Sequence, residues 1–143
     1  MYRIEIYKDS PGKTLSVGWM RRVSKKVLEG EAWEGEGVLS VILVDNPRMQ
    51  ELNRRFLRKN KPTDVLAFSL DDDVGDAWGE VYISEDQARL QSRLYGVSFR
   101  EEVARLIIHG ILHLMGYRDN DDPSRRRMTE KENDYLEQIF SDE

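Results

Sequence analysis

The chain contains no cysteine. Disulfide scaffolds, cysteine-ligated zinc ribbons, iron–sulfur clusters and cysteine-nucleophile enzymes are therefore excluded, and nothing argues for an oxidising compartment. Histidine is nearly as scarce: the two present, His109 and His113, sit four residues apart. No run approaches the roughly 20 apolar residues of a membrane span. The opening Met1-Tyr2-Arg3-Ile4-Glu5-Ile6 alternates polar and apolar residues where a signal peptide is continuously apolar. These absences predict a cytoplasmic protein without membrane contact. What is present is 143 residues with 39% hydrophobic and 34% charged content, enough for a single domain, 1–143, around its own core. The net charge of −5 argues mildly against a nucleic-acid partner, although a net figure hides local fields.

Periodicity and punctuation give the order of elements. Arg3-Ile4-Glu5-Ile6-Tyr7 has the period-two alternation of a strand, and Leu15, Trp19, Val23 and Val27 recur at helical intervals up to Leu28. Gly30 and Gly35-Glu36-Gly37 break that helix. Val38 to Val44 is then almost wholly apolar and rich in β-branched residues, as in a buried central strand. Asp45-Asn46-Pro47 starts a second helix, with Asn46 read as N-cap, Pro47 at the first helical position, and Met49, Leu52 and Phe56 facing inward. A charged stretch, Arg58 to Asp64, leads into a short strand from Val65 to Phe68. An acidic loop with Asp71, Asp72, Asp73 and Asp76 precedes another strand, Glu80 to Ser84. Ser84 is placed to cap a helix that Gly96 stops, and Ser98-Phe99-Arg100-Glu101 has capping-box spacing at the head of the histidine helix. Gly116 closes that helix after Met115, and Pro123 to Phe140 reads as an amphipathic surface helix with Met128, Tyr135, Leu136 and Ile139 inward. The order predicts an α+β fold: a mixed four-stranded sheet with about five helices, the histidine helix packed on it.

Between Arg105 and Arg118 the chain carries no formal charge, and within that span lies His109-Gly110-Ile111-Leu112-His113. At 3.6 residues per turn the two imidazoles are about 40° apart around a helix and leave it on one face. Paired histidines at i and i+4 are the core of helical zinc sites, because the backbone holds both rings on one side of an ion. A third ligand has to come from beyond the helix. The turn at Gly116 allows Asp119, ten residues after His109, to return to the same face. His109, His113 and Asp119 would leave a fourth position for water, as catalytic zinc sites do. The competing reading is a hydrogen-bonded core pair, with Asp119, like Asp121 and Asp122 beside it, a capping or solvated carboxylate.

Residues 109 to 117, His-Gly-Ile-Leu-His-Leu-Met-Gly-Tyr, closely resemble the signature His-Gly-x-Leu-His-Leu-x-Gly-Tyr-Asp-His of the YbeY family of bacterial metal-dependent endoribonucleases. Leu52-Asn53-Arg54-Arg55-Phe56, followed by Lys59 to Phe68, resembles the second block of that family, and Gly79 to Ser84 resembles its strand ending in Ile-Ser. The likeness runs from about Val38 to Phe140. It implies an α+β fold, one zinc-like ion per chain, and cleavage of single-stranded RNA. It also implies a role in ribosomal RNA maturation, at the 3′ end of small-subunit 16S rRNA, and in ribosome quality control, with the ribosome or its small subunit as partner. Three positions depart from the pattern. Asp119 stands where the family has its third metal-binding His, and Arg118 where it has the preceding Asp. A carboxylate keeps a zinc site feasible while widening the choice to nickel, iron or manganese. The family's Arg directly after the aromatic residue of the second block is here Leu57, so Arg58, one place later, takes over that catalytic role as a near match.

Zinc lowers the pKa of bound water toward roughly 7 and neutralises a phosphoryl oxygen, and both suit phosphodiester hydrolysis. A His-Glu-x-x-His peptidase carries its general base directly after the first His; Gly110 occupies that place and disfavours a peptidase. The general base stays open among the activated water, a carboxylate such as Glu80, and the RNA 2′-OH acting as internal nucleophile. RNA contact is expected from Arg54, Arg55, Arg58, Lys59 and Lys61, five positive charges in eight positions with no acid among them. Setting them aside takes the rest of the chain from −5 to −10, so the field is polarised toward one segment. Arg125, Arg126 and Arg127 read as the exposed face of the last helix. The rival to an enzyme is a ribosome-associated RNA-binding factor whose metal, altered at Asp119, is structural.

Overall fold

The apolar run over 37–44 becomes the strand on which both faces of the sheet are built. In a computed structural model describing residues 2–9, 15–57, 63–70 and 77–141, the elements are β1 (Tyr2–Asp9), α1 (Val17–Gly30), β2 (Gly37–Val44), α2 (Asn46–Leu57), β3 (Val65–Ser69), β4 (Ala77–Ser84), α3 (Glu85–Tyr95), α4 (Phe99–Leu114) and α5 (Asp122–Ser141). The sheet order is β1-β2-β4-β3, with β2 parallel to both neighbours and β3 antiparallel to β4. The expected α+β architecture with a mixed four-stranded sheet and five helices is therefore observed.

Alternation along the strands sorts the core into two layers. Ile4, Ile6, Leu39, Val41, Leu43, Val81 and Ile83 belong to the larger layer, with α1, α4 and α5. Ile42, Val44 and Leu66 belong to the smaller one, closed by Met49 and Leu52 of α2. Because β2 is covered on both sides, its sequence shows a continuous apolar run rather than an alternation. No helix among the described residues is long and apolar enough to cross a membrane.

Most helix boundaries follow the expected caps. Ser84 Oγ accepts from Gln87 N and Ser98 Oγ from Glu101 N, while Gly96 adopts φ 68° after α3. Two expectations are corrected. Asp45, not Asn46, caps α2: its carboxylate accepts from Arg48 N at 3.0 Å and its carbonyl from Met49 N. Asn46 is drawn elsewhere, its N–H to Asp86 and its side-chain oxygen to the Ser84 hydroxyl. Phe56, expected inside, is 55% exposed at the end of α2, where it meets only the edge of the small layer through Phe68. The acidic positions Asp71, Asp72, Asp73 and Asp76 lie outside the described residues.

One polar cluster ties the ends of the chain together. Glu31, just beyond α1, accepts from the Tyr117 hydroxyl at 2.6 Å and from the Tyr135 hydroxyl of α5, with Lys131 Nζ 3.3 Å away. The bare Gly30 makes room, since a Cβ there would run into the Tyr135 ring. Burial by itself raises the Glu31 carboxyl, but the two phenols and the Lys131 ammonium outweigh it and hold the group below the usual carboxylate range. Burial and the bond to Glu31 push the Tyr135 hydroxyl up. A carboxyl lowered on folding contributes its stability above the unfolded value of about 4.3 and loses it as pH falls through the folded value. Glu31→Gln is therefore expected to be less stable than the wild type near neutral pH, with the gap closing below about pH 4. Urea midpoints measured across that range check this, and a gap that does not change with pH would contradict it.

Candidate metal centre

Helix α4 is buried along Val103, Ala104, Leu106, Ile107, Ile108, Ile111 and Leu112, and this apolar surround fixes its rotation about its own axis. The remaining stripe carries His109 and His113, both half-buried, toward β3. At Gly110 helix and sheet are in such close contact that a Cβ would lie 2.5 Å from Val81 Cγ1 and 3.4 Å from a methyl of Val65. No side chain fits there without displacing a β-branched strand residue, so the position that bears the general base in a His-Glu-x-x-His hydrolase is closed to one.

The helix ends in a Schellman turn: Tyr117 N donates to Leu112 O and Gly116 N to His113 O, with Gly116 at φ 98°. The Tyr117 hydroxyl anchored on Glu31 then holds the following residues against α4. Asp119 arrives with one carboxylate oxygen 3.3 Å from His113 Nε2 and 3.6 Å from His109 Nε2, and the two Nε2 atoms are 3.1 Å apart. Three donors on bonds of about 2.0–2.1 Å at tetrahedral angles are about 3.3–3.4 Å from one another. The observed edges bracket that value, so the three residues fit a divalent ion and can hold one. Asp121, its neighbour in the acidic cluster, instead caps α5 by accepting from Ser124 N, and the Ser124 side chain together with that backbone bond holds its carboxyl low.

The three donors open into a cleft of about 600 Å³ between α4 and β3, lined also by Thr63, Asp64, Val65, Ala67, Ser69 and Gly110. Arg54 and Arg55 are not brought to it. They are exposed on α2, which covers the opposite face of the sheet, and Arg55 pairs with Glu51. Arg58, Lys59 and Lys61 lie outside the described residues, in the stretch joining α2 to Thr63. Arg125 pairs with Asp122 on the exposed side of α5. Glu80 is half-buried on β4, opposite Phe68, and its interaction with the Tyr82 hydroxyl helps to raise that phenol after burial has done so. It does not line the cleft.

One residue at the site escaped the sequence reading. Glu132 of α5, 4% exposed, meets His109 Nδ1 at 2.6 Å. Its signal is visible afterwards: with Met128 and Tyr135 it occupies the buried stripe of a helix at i, i+4 and i+7, where a carboxylate is unusual.

With this geometry described, similarity to known proteins becomes informative. A family profile described as Endoribonuclease YbeY matches residues 8–140. The chain belongs to the YbeY endoribonuclease family. Among its relatives, the Endoribonuclease YbeY of Carboxydothermus hydrogenoformans is 48% identical over 70% of this chain and 71% of its own length. That of Salinibacter ruber is 33% identical over 96% of this chain and 92% of its own. A solution structure of a Thermotoga maritima protein superposes with a TM-score of 0.68 at 30% identity, covering 97% of this chain and 90% of that one. The histidine pair, the closing glycine and the tyrosine of the YbeY signature all sit on α4 and its terminal turn, where the donors converge.

Close packing at Gly110 generates a test. Alanine would gain about 1 kcal/mol of helix propensity, but forcing a methyl against Val81 costs about 1–3 kcal/mol. Gly110→Ala is expected to lower stability on balance, read as a lower urea midpoint. An unchanged or higher midpoint would show that α4 and β4 have slack at this contact.

Proposed function

We propose that this protein is a metal-dependent endoribonuclease cleaving single-stranded RNA, with the whole of residues 1–143 forming one hydrolase domain. The observation that carries the reading is the set of His109, His113 and Asp119 atoms at the edge lengths of a tetrahedral ion, facing an open cleft. Zinc is the first candidate for the ion, one per chain, and when bound it supplies Lewis-acid neutralisation of a phosphoryl oxygen and lowers the pKa of a water toward about 7. His109 and His113 would offer their Nε2 atoms, and Asp119 would complete the set from an exposed turn, its side chain 43% open to solvent. A carboxylate in the third position makes the donor set harder than three imidazoles, which favours manganese or iron relative to zinc more than a His₃ set does.

Substrate phosphates are met by the basic stretch. Arg58 is assigned the catalytic contact to the scissile phosphate and Lys59 and Lys61 further phosphate contacts, while Arg54 and Arg55, on the other face of the sheet, add long-range attraction. Their field attracts RNA, and the −10 carried by the rest of the chain repels it elsewhere. Such a charge distribution suits an RNA presented by a larger particle. Membership of the YbeY family extends the reading to ribosomal RNA, with the 16S 3′ end and quality control of the small subunit in the cytoplasm as the proposed setting. Gly110 supports a nuclease over a peptidase, since no base can occupy that position.

Metal analysis of the purified chain is expected to find one divalent ion, and His113→Ala to lose it. RNA cleavage should then fall by at least about 100-fold, beyond the effect of losing an outer partner of a ligand. Equal residual cleavage by wild type and His113→Ala would assign the activity to a contaminant. A metal-loaded protein that binds RNA without cutting it would make the chain an assembly factor with a structural ion. For the basic stretch, Arg58→Ala should reduce the slope of log affinity against log salt by roughly one phosphate contact. RNA binding insensitive to salt would remove that assignment.

A further inference from the structure

Glu132 is buried to 4% exposure, yet holding an ion requires only the three donors already described. A carboxylate at that depth is costly unless charged or hydrogen-bonding partners compensate it. Its two oxygens are separately engaged. Oε1 lies 3.4 Å from Arg105 Nη1, and Oε2 lies 2.6 Å from His109 Nδ1. Arg105 is already held by Glu102, itself 1% exposed, through Nε to Oε1 at 3.0 Å and Nη2 to Oε2 at 2.6 Å. Glu102 also accepts from Gln91 Nε2 at 2.6 Å. One guanidinium is shared between two buried carboxylates, and the shortest contact of Glu132 is to the His109 ring, which serves as its second partner.

The consequence is a defined proton position. A carboxylate oxygen accepts, so the 2.6 Å contact with Glu132 Oε2 calls for an N–H on His109 Nδ1 and leaves the Nε2 lone pair for an ion. Nε2 is the atom that faces His113 Nε2 and the Asp119 carboxylate. We infer that Glu132 is a positioning residue: it fixes the tautomer and ring orientation of His109 so that Nε2 is offered to the metal, and Arg105 with Glu102 holds Glu132 in place. A carboxylate behind a ligating histidine also raises the basicity of the ligand nitrogen, and loss of such a partner costs about 10–100-fold in metal affinity. The inference rests on the metal reading above and adds α5 to the working parts of the site.

The test uses the full chain stripped of metal, with zinc and manganese titrated separately against a chromophoric chelator. Glu132→Gln keeps the size of the side chain and removes its charge; its affinity is expected to fall about 10–100-fold with folding retained. Met128→Ala, one turn earlier on the same buried face of α5, is the control for general loosening, and it should lower the thermal midpoint while leaving affinity within about threefold, below the outer-partner range. Nitrogen-15 long-range NMR of the apoprotein, at a pH above the imidazole range, should find His109 protonated on Nδ1 in the wild type and on Nε2 to a large extent in Glu132→Ala. Three outcomes would overturn the role of Glu132 alone: equal affinity of wild type and Glu132→Gln, an Nε2–H tautomer in the wild-type apoprotein, or an equal loss of affinity in Met128→Ala. Failure of the wild type to take up either ion would instead overturn the metal reading, and this inference with it.

Discussion

The contact of α4 with β4 at Gly110 and Val81 is the constraint from which the site follows. A Cβ at Gly110 would stand 2.5 Å from Val81 Cγ1, so helix and sheet approach as closely as backbone and side chain allow. Interiors packed to this density transmit small volume changes instead of absorbing them. The helix is thereby locked in rotation, and His109 and His113 face the edge of β3. The same contact removes any side chain between the histidines that could act as a base. Position 110 thus orients the donors by its smallness and limits the chemistry by the same property.

Helix α5 supports the candidate donors from behind. On its inner face Glu132 reaches His109, and one turn further Tyr135 reaches Glu31, which in turn holds Tyr117. The first contact backs His109, one of the three candidate donors. The second anchors the turn that delivers Asp119. A helix that reads as an amphipathic cover is therefore tied to both ends of the candidate metal centre through two carboxylates of low exposure. Each is stable there only because its partners are cationic or donate hydrogen bonds. Glu31 is held low by two phenols and a lysine, while Glu132 shares Arg105 with Glu102.

Charge is arranged on a larger scale in the same manner. The net −5 is the sum of a basic stretch over 54–61 and a remainder at −10. Arg54 and Arg55 lie on α2, which covers the face of the sheet opposite the histidines. The connection from α2 to Thr63, which carries Arg58, Lys59 and Lys61 in sequence, ends at the cleft itself. Long-range attraction depends on the total charge of that stretch more than on the placement of each residue.

Local features were legible from the residue order because they arise within a turn or two of chain. The strand β2, the caps at Ser84 and Ser98, the αL glycines 96 and 116, and the i, i+4 histidine pair all depend on neighbours at most a few positions away. Asp119 was legible too, through its offset from His109 and its place in the family signature. Where two local signals competed, tertiary contacts chose: Asn46 gave up the cap of α2 to Asp45 because Asp86 and Ser84 engage it. Phe56 stayed outside because α2 ends at the edge of the smaller layer. Glu132 and Glu31 could not be found from spacing, since their partners lie 23 and 86 residues away along the chain. By itself, then, the sequence determined the elements, the histidine pair and the family. Only the tertiary structure decided which carboxylates stand behind the pair, because a buried charge is placed by the groups that surround it in space.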